Sequence, residues 1–129
     1  MTYTNLDVKI DRHIAILTLN NPPANTWTVE SLNSLTQLVS DLNANRQVQA
    51  LIVHGQGEKF FSAGADLKTF ATNDKNPAVN MSAAFGEAFE ALSNFRGVSI
   101  AVINGYAMGG GLECALACDI RIAESHAQM

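Results

Sequence analysis

Three consecutive glycines followed by a glutamate carry the clearest chemical signal in the sequence. Gly109, Gly110 and Gly111 have no side chains to keep a ligand away from the backbone, and Glu113 comes directly after the next residue. The small and apolar residues that follow predict a helix from Leu112 to Cys118. The glycines would then lie at its first turn, where unpaired N–H groups and the helix dipole favour negative charge.

Glu113 is predicted to share a pocket with the N–H of Gly110, because helical side chains lean toward the N-terminus of their helix. An amide there would stabilise charge on a substrate oxygen while the carboxylate moves a proton. The alternative is a flexible glycine turn followed by a surface glutamate. These residues alone leave both interpretations open.

A second loop of small residues follows another predicted strand. The apolar run from Ala50 to His54 is typical of a buried strand, and small residues follow it between Phe60 and Lys68. Ligands of open parallel sheets bind beyond the carboxyl ends of the strands. This loop is therefore expected to reach the same pocket as Gly110.

The elements that must position these loops can be predicted in the first half of the chain. An edge strand around Val8 to Ile10 pairs with Ile14 to Leu19 in a hairpin. The stretch 20–25, NNPPAN, must be a loop. Apolar residues at helical spacing then predict an amphipathic helix that is capped by Thr28 and ends near Asn43. A helix between two strands favours parallel pairing.

The second half of the chain continues the alternation of helices and strands. The polar stretch 71–77 is expected to be a mobile connection, and Pro77 suits the first turn of a helix that ends at Arg96-Gly97. Interior strands are predicted at Ser99 to Ile103 and before Ala123. The apolar stripe of the helix is interpreted as core: Met81, Ala84, Phe85, Ala88, Phe89 and Leu92.

Composition limits the classes of function. The chain has 129 residues and a formal net charge of −4, which suits one compact domain. It has no basic run, so we expect no nucleic-acid or membrane partner. No apolar segment is long enough to span a bilayer, and no secretory signal pattern is present. The expected location is the cytoplasm.

Several familiar sites are not supported. Cys114 and Cys118 are interpreted as buried small residues, and the histidines lack metal-ligand spacing, so we expect no metal. Gly105 to Gly111 matches the glycine pattern of short-chain dehydrogenases, but neither Tyr3 nor Tyr106 has a lysine four residues later. The P-loop and nucleophile-elbow patterns are absent.

Taken together, the segments from Phe61 to Lys68 and from Ile103 to Asp119 resemble the two signatures of the crotonase superfamily, the enoyl-CoA hydratase/isomerase family. The resemblance implies an α/β fold of crotonase-like repeated β-β-α units. Residues 1–129 would form the N-terminal part of such a domain, truncated before the C-terminal trimerisation helices.

The resemblance also implies roles for particular residues. The backbone N–H groups of Ala65 and Gly110 would hold an enolate oxyanion, and Glu113 matches the first of two catalytic glutamates. The second glutamate is expected just beyond Met129. The residues implied to bind the substrate or its CoA moiety are Ala24, Ala63, Asp66, Leu67, Lys68 and Gly109. Lys68 would meet the CoA phosphates, or it is a solvated surface lysine.

The activity implied for the full-length parent is hydration of 2-trans-enoyl-CoA thioesters by syn addition of water. Alternatives are a Δ3,Δ2-enoyl-CoA isomerase, an acyl-CoA hydrolase, or an inactive CoA-binding fragment. Coenzyme A is part of the substrate, so no separate cofactor is expected. The parent is expected to form a homotrimer or a dimer of trimers. The chain alone would expose apolar surface and self-associate.

Overall fold

In the computed structural model, the described residues are 2–70 and 76–129. The predicted connection at 71–77 falls largely outside them. In chain order the elements are β1 (Leu6–Asp11), β2 (Ile14–Leu19), α1 (Val29–Ala44), β3 (Ala50–Gly55), β4 (Phe60–Ser62), a 3-10 turn (Leu67–Phe70), α2 (Asn76–Ser93), β5 (Val98–Ile103), β6 (Tyr106–Ala107), α3 (Gly110–Ala117) and β7 (Ile120–Ala123). The α/β class is therefore confirmed.

The strands of the described residues form two sheets. The larger has the order β1-β2-β3-β5-β7, and β4 pairs with β6 in the smaller. The β1–β2 pair is antiparallel, as the hairpin predicted, and the other pairs are parallel. Every parallel strand of the larger sheet therefore points its carboxyl end to the same edge. The loops that contain Gly64 and Gly110 follow β4 and β6, the parallel strands of the smaller sheet.

Helix α1 begins where the sequence predicts. Thr28 Oγ1 accepts a hydrogen bond from Ser31 N at 3.0 Å, and Ser31 Oγ accepts one from Thr28 N at 2.9 Å. This reciprocal pair satisfies two N–H groups that a helix start leaves unpaired. The apolar face of α1 is buried through Leu32, Leu35 and Leu42, and it packs against the sheet and α2.

Helix α2 differs from its prediction in two respects. It ends at Ser93, before the predicted Arg96-Gly97. The N–H of Arg96 instead donates to Asn43 Oδ1 at 2.9 Å, which ties this connection to the end of α1. Only part of its apolar stripe is fully buried: Met81, Ala84, Ala88 and Leu92.

Two asparagines hold the connection after β3 in place. Asn104 accepts from Gly55 N at 2.9 Å and donates to Gly55 O at 2.8 Å. Buried Asn25 donates to Phe60 O at 3.1 Å and to Phe61 O at 3.3 Å. Buried polar groups cost free energy unless they are paired. These paired amides therefore fix β4 and, through it, the loop that follows.

Candidate active site

The glycine turn packs directly against the end of β4. A Cβ built on Gly111 would lie 2.0 Å from Ser62 O, so no side chain fits at this position. Ser62 O also accepts a hydrogen bond from Met108 N at 3.0 Å. The start of α3 is thus fixed beside the loop that leaves β4.

The two loops meet at Gly64 and Gly110. Gly64 has φ +103°, and a Cβ built on it would lie 3.2 Å from Gly110 N. A positive φ and this close approach both favour glycine. The amide of Ala65, the next residue, therefore lies in the same region as the amide of Gly110.

The loop from NNPPAN supports the Ala65 side of this junction. Ala63 N donates to Ala24 O at 3.0 Å, Trp27 N donates to Gly64 O at 2.8 Å, and Asp66 N donates to Trp27 O at 2.8 Å. Ala65 lies between these bonded residues. Among the hydrogen bonds of residues 2–70 and 76–129, none has the N–H of Ala65 or Gly110 as its donor. Both donors are consequently available to a ligand.

Ala65, Gly110 and Glu113 line one open pocket of about 500 Å³. Its remaining lining comes from α2 and consists of Ala78, Met81, Ser82, Phe85, Gly86 and Phe89. Glu113 is an exposed residue of α3. The pocket therefore combines two amides that have no partner among the described residues with a carboxylate and an apolar wall.

A second pocket, of about 520 Å³, adjoins the first. Ala65 and Gly110 belong to both pockets. Five residues predicted to bind CoA or substrate line the second one: Ala63, Asp66, Leu67, Lys68 and Gly109. Ala24, the sixth, contacts this region through its hydrogen bond to Ala63. An elongated ligand could thus pass the two amides with one end in each pocket.

The two charged residues of the second pocket differ in their contacts within the chain. Asp66 Oδ1 accepts a hydrogen bond from Lys68 N at 3.0 Å, which orders the start of the 3-10 turn. Lys68 itself is exposed. It lines the pocket, and solvent would screen any contact between its ammonium group and a charged ligand.

Cys114, in α3, and Cys118, directly after its end, stay neutral thiols near neutral pH. Burial raises the pKa of Cys114 well above its usual value. Burial is also the main cause that raises the pKa of Cys118 to about 11. Thiolates are the reactive form of cysteine, so neither side chain is a nucleophile near neutral pH. Within the part of the chain that the structure describes, no group of three or more His, Cys, Asp or Glu side chains could hold a metal ion.

The aromatic residues of α2 are the functional candidates that the sequence interpretation missed. Phe85 and Phe89, predicted to be core residues, are half-buried: they pack against the hydrophobic core and also line the pocket. Their rings contact each other with centroids 5.4 Å apart, and Phe89 contacts Trp27 at 5.7 Å. Helical spacing cannot separate the two roles, because the core face and the pocket face of α2 adjoin.

Comparison with known proteins identifies the family. The model of the enoyl-CoA hydratase/isomerase family matches residues 9–129. The chain belongs to this family. A Bacillus subtilis protein named "Probable enoyl-CoA hydratase" is 38% identical over 125 residues, covering 96% of this chain and 48% of that protein. The crotonyl-CoA hydratase of Syntrophomonas wolfei is 33% identical over 129 residues, covering 99% of this chain and 50% of that protein.

The crystal structure of an enoyl-CoA hydratase from Bacillus anthracis shares the fold: it is 34% identical, with a TM-score of 0.89, and the match covers 96% of this chain and 49% of that chain. A structure of Pseudomonas aeruginosa DspI is 63% identical, with a TM-score of 0.96, and the match covers 98% of this chain and 52% of that chain. The resemblance to the crotonase superfamily is thereby confirmed. The chain spans about half the length of the curated relatives it matches. No helix among the described residues is long and apolar enough to cross a membrane.

Proposed function

We propose that the protein to which this chain belongs hydrates 2-trans-enoyl-CoA thioesters. The observation that carries the proposal is the convergence of the unpaired amides of Ala65 and Gly110 with the Glu113 carboxylate on one pocket. Membership in the enoyl-CoA hydratase/isomerase family supports the same class of acyl-CoA chemistry.

The two amides would stabilise the charge that develops on the thioester oxygen. Addition of water to C3 pushes electrons through C2 onto this oxygen and forms an enolate, which is too basic to form freely in water. Two preorganised N–H donors lower its free energy, by roughly 3 kcal/mol each if they match other oxyanion holes. The enolate is then protonated at C2, which completes the addition of water.

Glu113 would act as a general acid and base in this reaction. Its carboxylate shares the pocket with the oxyanion donors, which is the arrangement that proton transfer beside a developing charge requires. The second glutamate of the family pattern is proposed to lie beyond Met129. Syn addition follows if both carboxylates work on the same face of the double bond.

The second pocket would hold the CoA moiety, with Lys68 near the phosphates as a point charge. Coenzyme A would be part of the substrate, and no separate cofactor is proposed. The thioester would lie at Ala65 and Gly110, where the two pockets meet. The acyl chain would then extend along α2.

An isomerase is the second candidate, and one observation favours it. Glu113 is the only acidic residue that lines the first pocket among the described residues. A Δ3,Δ2-enoyl-CoA isomerase uses the same enolate but moves one proton between C4 and C2, for which a single carboxylate is sufficient. The acyl-CoA hydrolase and the inactive CoA-binding fragment remain further alternatives.

Assembly and location are proposed on the family resemblance. Exposed apolar side chains on α3 and β7 offer a surface for association: Leu116 is 58% exposed and Ile122 is 58% exposed. We propose a cytoplasmic homotrimer or dimer of trimers for the whole protein. The 129-residue chain alone would self-associate through this surface.

The test is an assay of the whole encoded protein with crotonyl-CoA and with 3-hexenoyl-CoA. Hydration removes the conjugated enoyl-thioester absorbance of crotonyl-CoA, whereas isomerisation creates that absorbance from 3-hexenoyl-CoA. Loss of absorbance with the first substrate supports the hydratase. Turnover of the second substrate alone would assign the isomerase, and release of free thiol from either would assign the hydrolase.

A further inference from the structure

Gly86 differs from the other glycines of the chain. Five of the nine glycines have no room for a Cβ because backbone or ring atoms would lie within 3 Å: Gly55, Gly97, Gly105, Gly110 and Gly111. Three others have a positive φ: Gly57, Gly64 and Gly109. Gly86 has neither property, and no described atom lies within 4 Å of a Cβ built on it.

A glycine is costly at this position. Gly86 lies inside the 18-residue helix α2, where glycine is less favourable than alanine by up to about 1 kcal/mol. Neither sterics nor backbone conformation among the described residues demands it. What Gly86 provides is space, and that space belongs to the pocket that contains Gly110 and Glu113.

The residues of α2 that line this pocket form two adjacent rows. Ala78, Ser82 and Gly86 follow each other at i, i+4 spacing and are small, whereas Met81, Phe85 and Phe89 form the large row beside them. The groove over the small row runs about 12 Å from Ala78 to Gly86 at roughly 1.5 Å per residue. Its Gly86 end lies beside the oxyanion donors, because a Cβ built on Gly110 would lie 2.6 Å from the ring of Phe85, the neighbour of Gly86.

We propose that Gly86 is a specificity-determining residue that keeps this groove wide enough for a linear acyl chain longer than a crotonyl group. The proposal deepens the proposed function and rests on it, because the occupant is the acyl part of the thioester. A linear chain advances roughly 1.25 Å per methylene with carbon–carbon bonds of about 1.5 Å. A four-carbon acyl group therefore leaves most of the groove empty, and an eight-carbon group covers more than half of it.

The test measures binding of two saturated thioesters, butyryl-CoA and octanoyl-CoA, to the whole encoded protein by calorimetry. We expect octanoyl-CoA to bind at least tenfold more tightly, since its four additional methylenes leave water. Gly86→Leu should reduce this preference to less than about threefold, because a leucine at the donor end of the groove keeps the additional methylenes of octanoyl-CoA out of it. Ala83→Leu, at an exposed α2 position outside the pocket lining, should behave as the wild type does.

The Gly86→Ala variant tests whether the space beside Gly86 is an open groove or is filled by another part of the protein. Because its methyl group enters open space, the variant should raise the midpoint of thermal unfolding. A lowered midpoint in Gly86→Ala would mean that another part of the protein packs on Gly86. The same would follow if Gly86→Leu lowered the affinity for both thioesters by the same factor. Either result would overturn the proposal. Equal affinity of the wild type for both thioesters would also overturn it. A clear chain-length preference in a protein that does not hydrate enoyl-CoA would instead count against the proposed function alone.

Discussion

The ring of Phe85 occupies the space where a side chain on Gly110 would lie. A Cβ built on Gly110 would be 2.6 Å from Phe85 Cε1 and 2.8 Å from Phe85 Cζ. The ring therefore rests on the residue whose N–H is proposed to hold the oxyanion, and it lines the pocket at the same time. An aromatic residue of α2 is thus a structural support of the candidate oxyanion hole.

This contact predicts a compensating pair of substitutions. Gly110→Ala places a methyl group inside the Phe85 ring position, so the ring or the amide must shift, and displacement of the amide should lower kcat for crotonyl-CoA about tenfold to a hundredfold. Phe85→Ala in the same protein provides space and should restore part of the rate. Steady-state kinetics of both single variants and the double variant check this. A wild-type rate in Gly110→Ala, or a double variant with no recovery, would contradict it.

Lys68 tests the assignment of the second pocket. Lys68→Ala should raise KM for CoA thioesters about twofold to fivefold, as expected for an exposed ion pair, with a smaller effect at high salt. The effect should vanish with a pantetheine thioester, which lacks the nucleotide phosphates. Lys59→Ala is the matched control, because Lys59 lies over the Phe60 ring at 5.4 Å. An equal change in KM for the CoA thioester and the pantetheine thioester would show that Lys68 does not bind the phosphates.

Gly111 predicts a strong effect on stability. Gly111→Ala would bring a methyl group to 2.0 Å from Ser62 O, and the shift of α3 or β4 that relieves this clash should lower the free energy of unfolding by about 2 kcal/mol or more. Gly86→Ala is the control, and it should raise the same quantity by up to about 1 kcal/mol. Urea unfolding followed by circular dichroism measures both. Similar values for the two variants would refute the packing described at the glycine turn.

The pair Tyr3 and Asp41 predicts a dependence of stability on pH. Burial, and then the hydrogen bond of 2.6 Å to Asp41, raise the pKa of Tyr3 from 10.0 to about 12. The same hydrogen bond lowers the pKa of Asp41. The contribution of Tyr3 to stability is therefore fully present below pH 10 and is lost as the pH rises to about 12.

Two titrations check the Tyr3 prediction. The phenolate absorbance that is lost in Tyr3→Phe should titrate near pH 12. In that variant the pKa of Asp41, followed by carboxyl NMR, should rise toward its ordinary value. A Tyr3 phenolate that forms near pH 10, or a pKa of Asp41 that is the same in Tyr3→Phe and in the wild type, would show that the hydrogen bond does not persist in solution.

Much of the fold could be predicted because it depends on local patterns. The Thr28 cap, the helical spacing on α1 and the alternation of strands and helices are each encoded within a few neighbouring residues. The short strands β4 and β6 could not be predicted in this way, since elements of two or three residues have no periodicity. Their pairing depends on contacts between distant parts of the chain.

The candidate site also combines features that follow from neighbouring residues with features that depend on distant contacts. Gly110 and Glu113 are near neighbours in the sequence, so their shared pocket follows from helix geometry. The support for Ala65 comes instead from Ala24 and Trp27, and the amide of Asn104 reaches back to Gly55. Such side-chain and backbone bonds leave no pattern in the sequence. The pocket position of Phe85 could not be predicted, because an aromatic residue at helical spacing fits a core and a pocket equally well, and Phe85 contacts both.

The most direct test of the central proposal is the hydration of crotonyl-CoA by the whole encoded protein, compared between the wild type and Glu113→Gln. Loss of the general acid and base should lower kcat by about 10² to 10⁴ while substrate affinity is retained. Glu87→Gln, an exposed α2 residue outside the pocket lining, should keep the wild-type rate. A Glu113→Gln variant as fast as the wild type would contradict the proposal that Glu113 transfers the proton at this site.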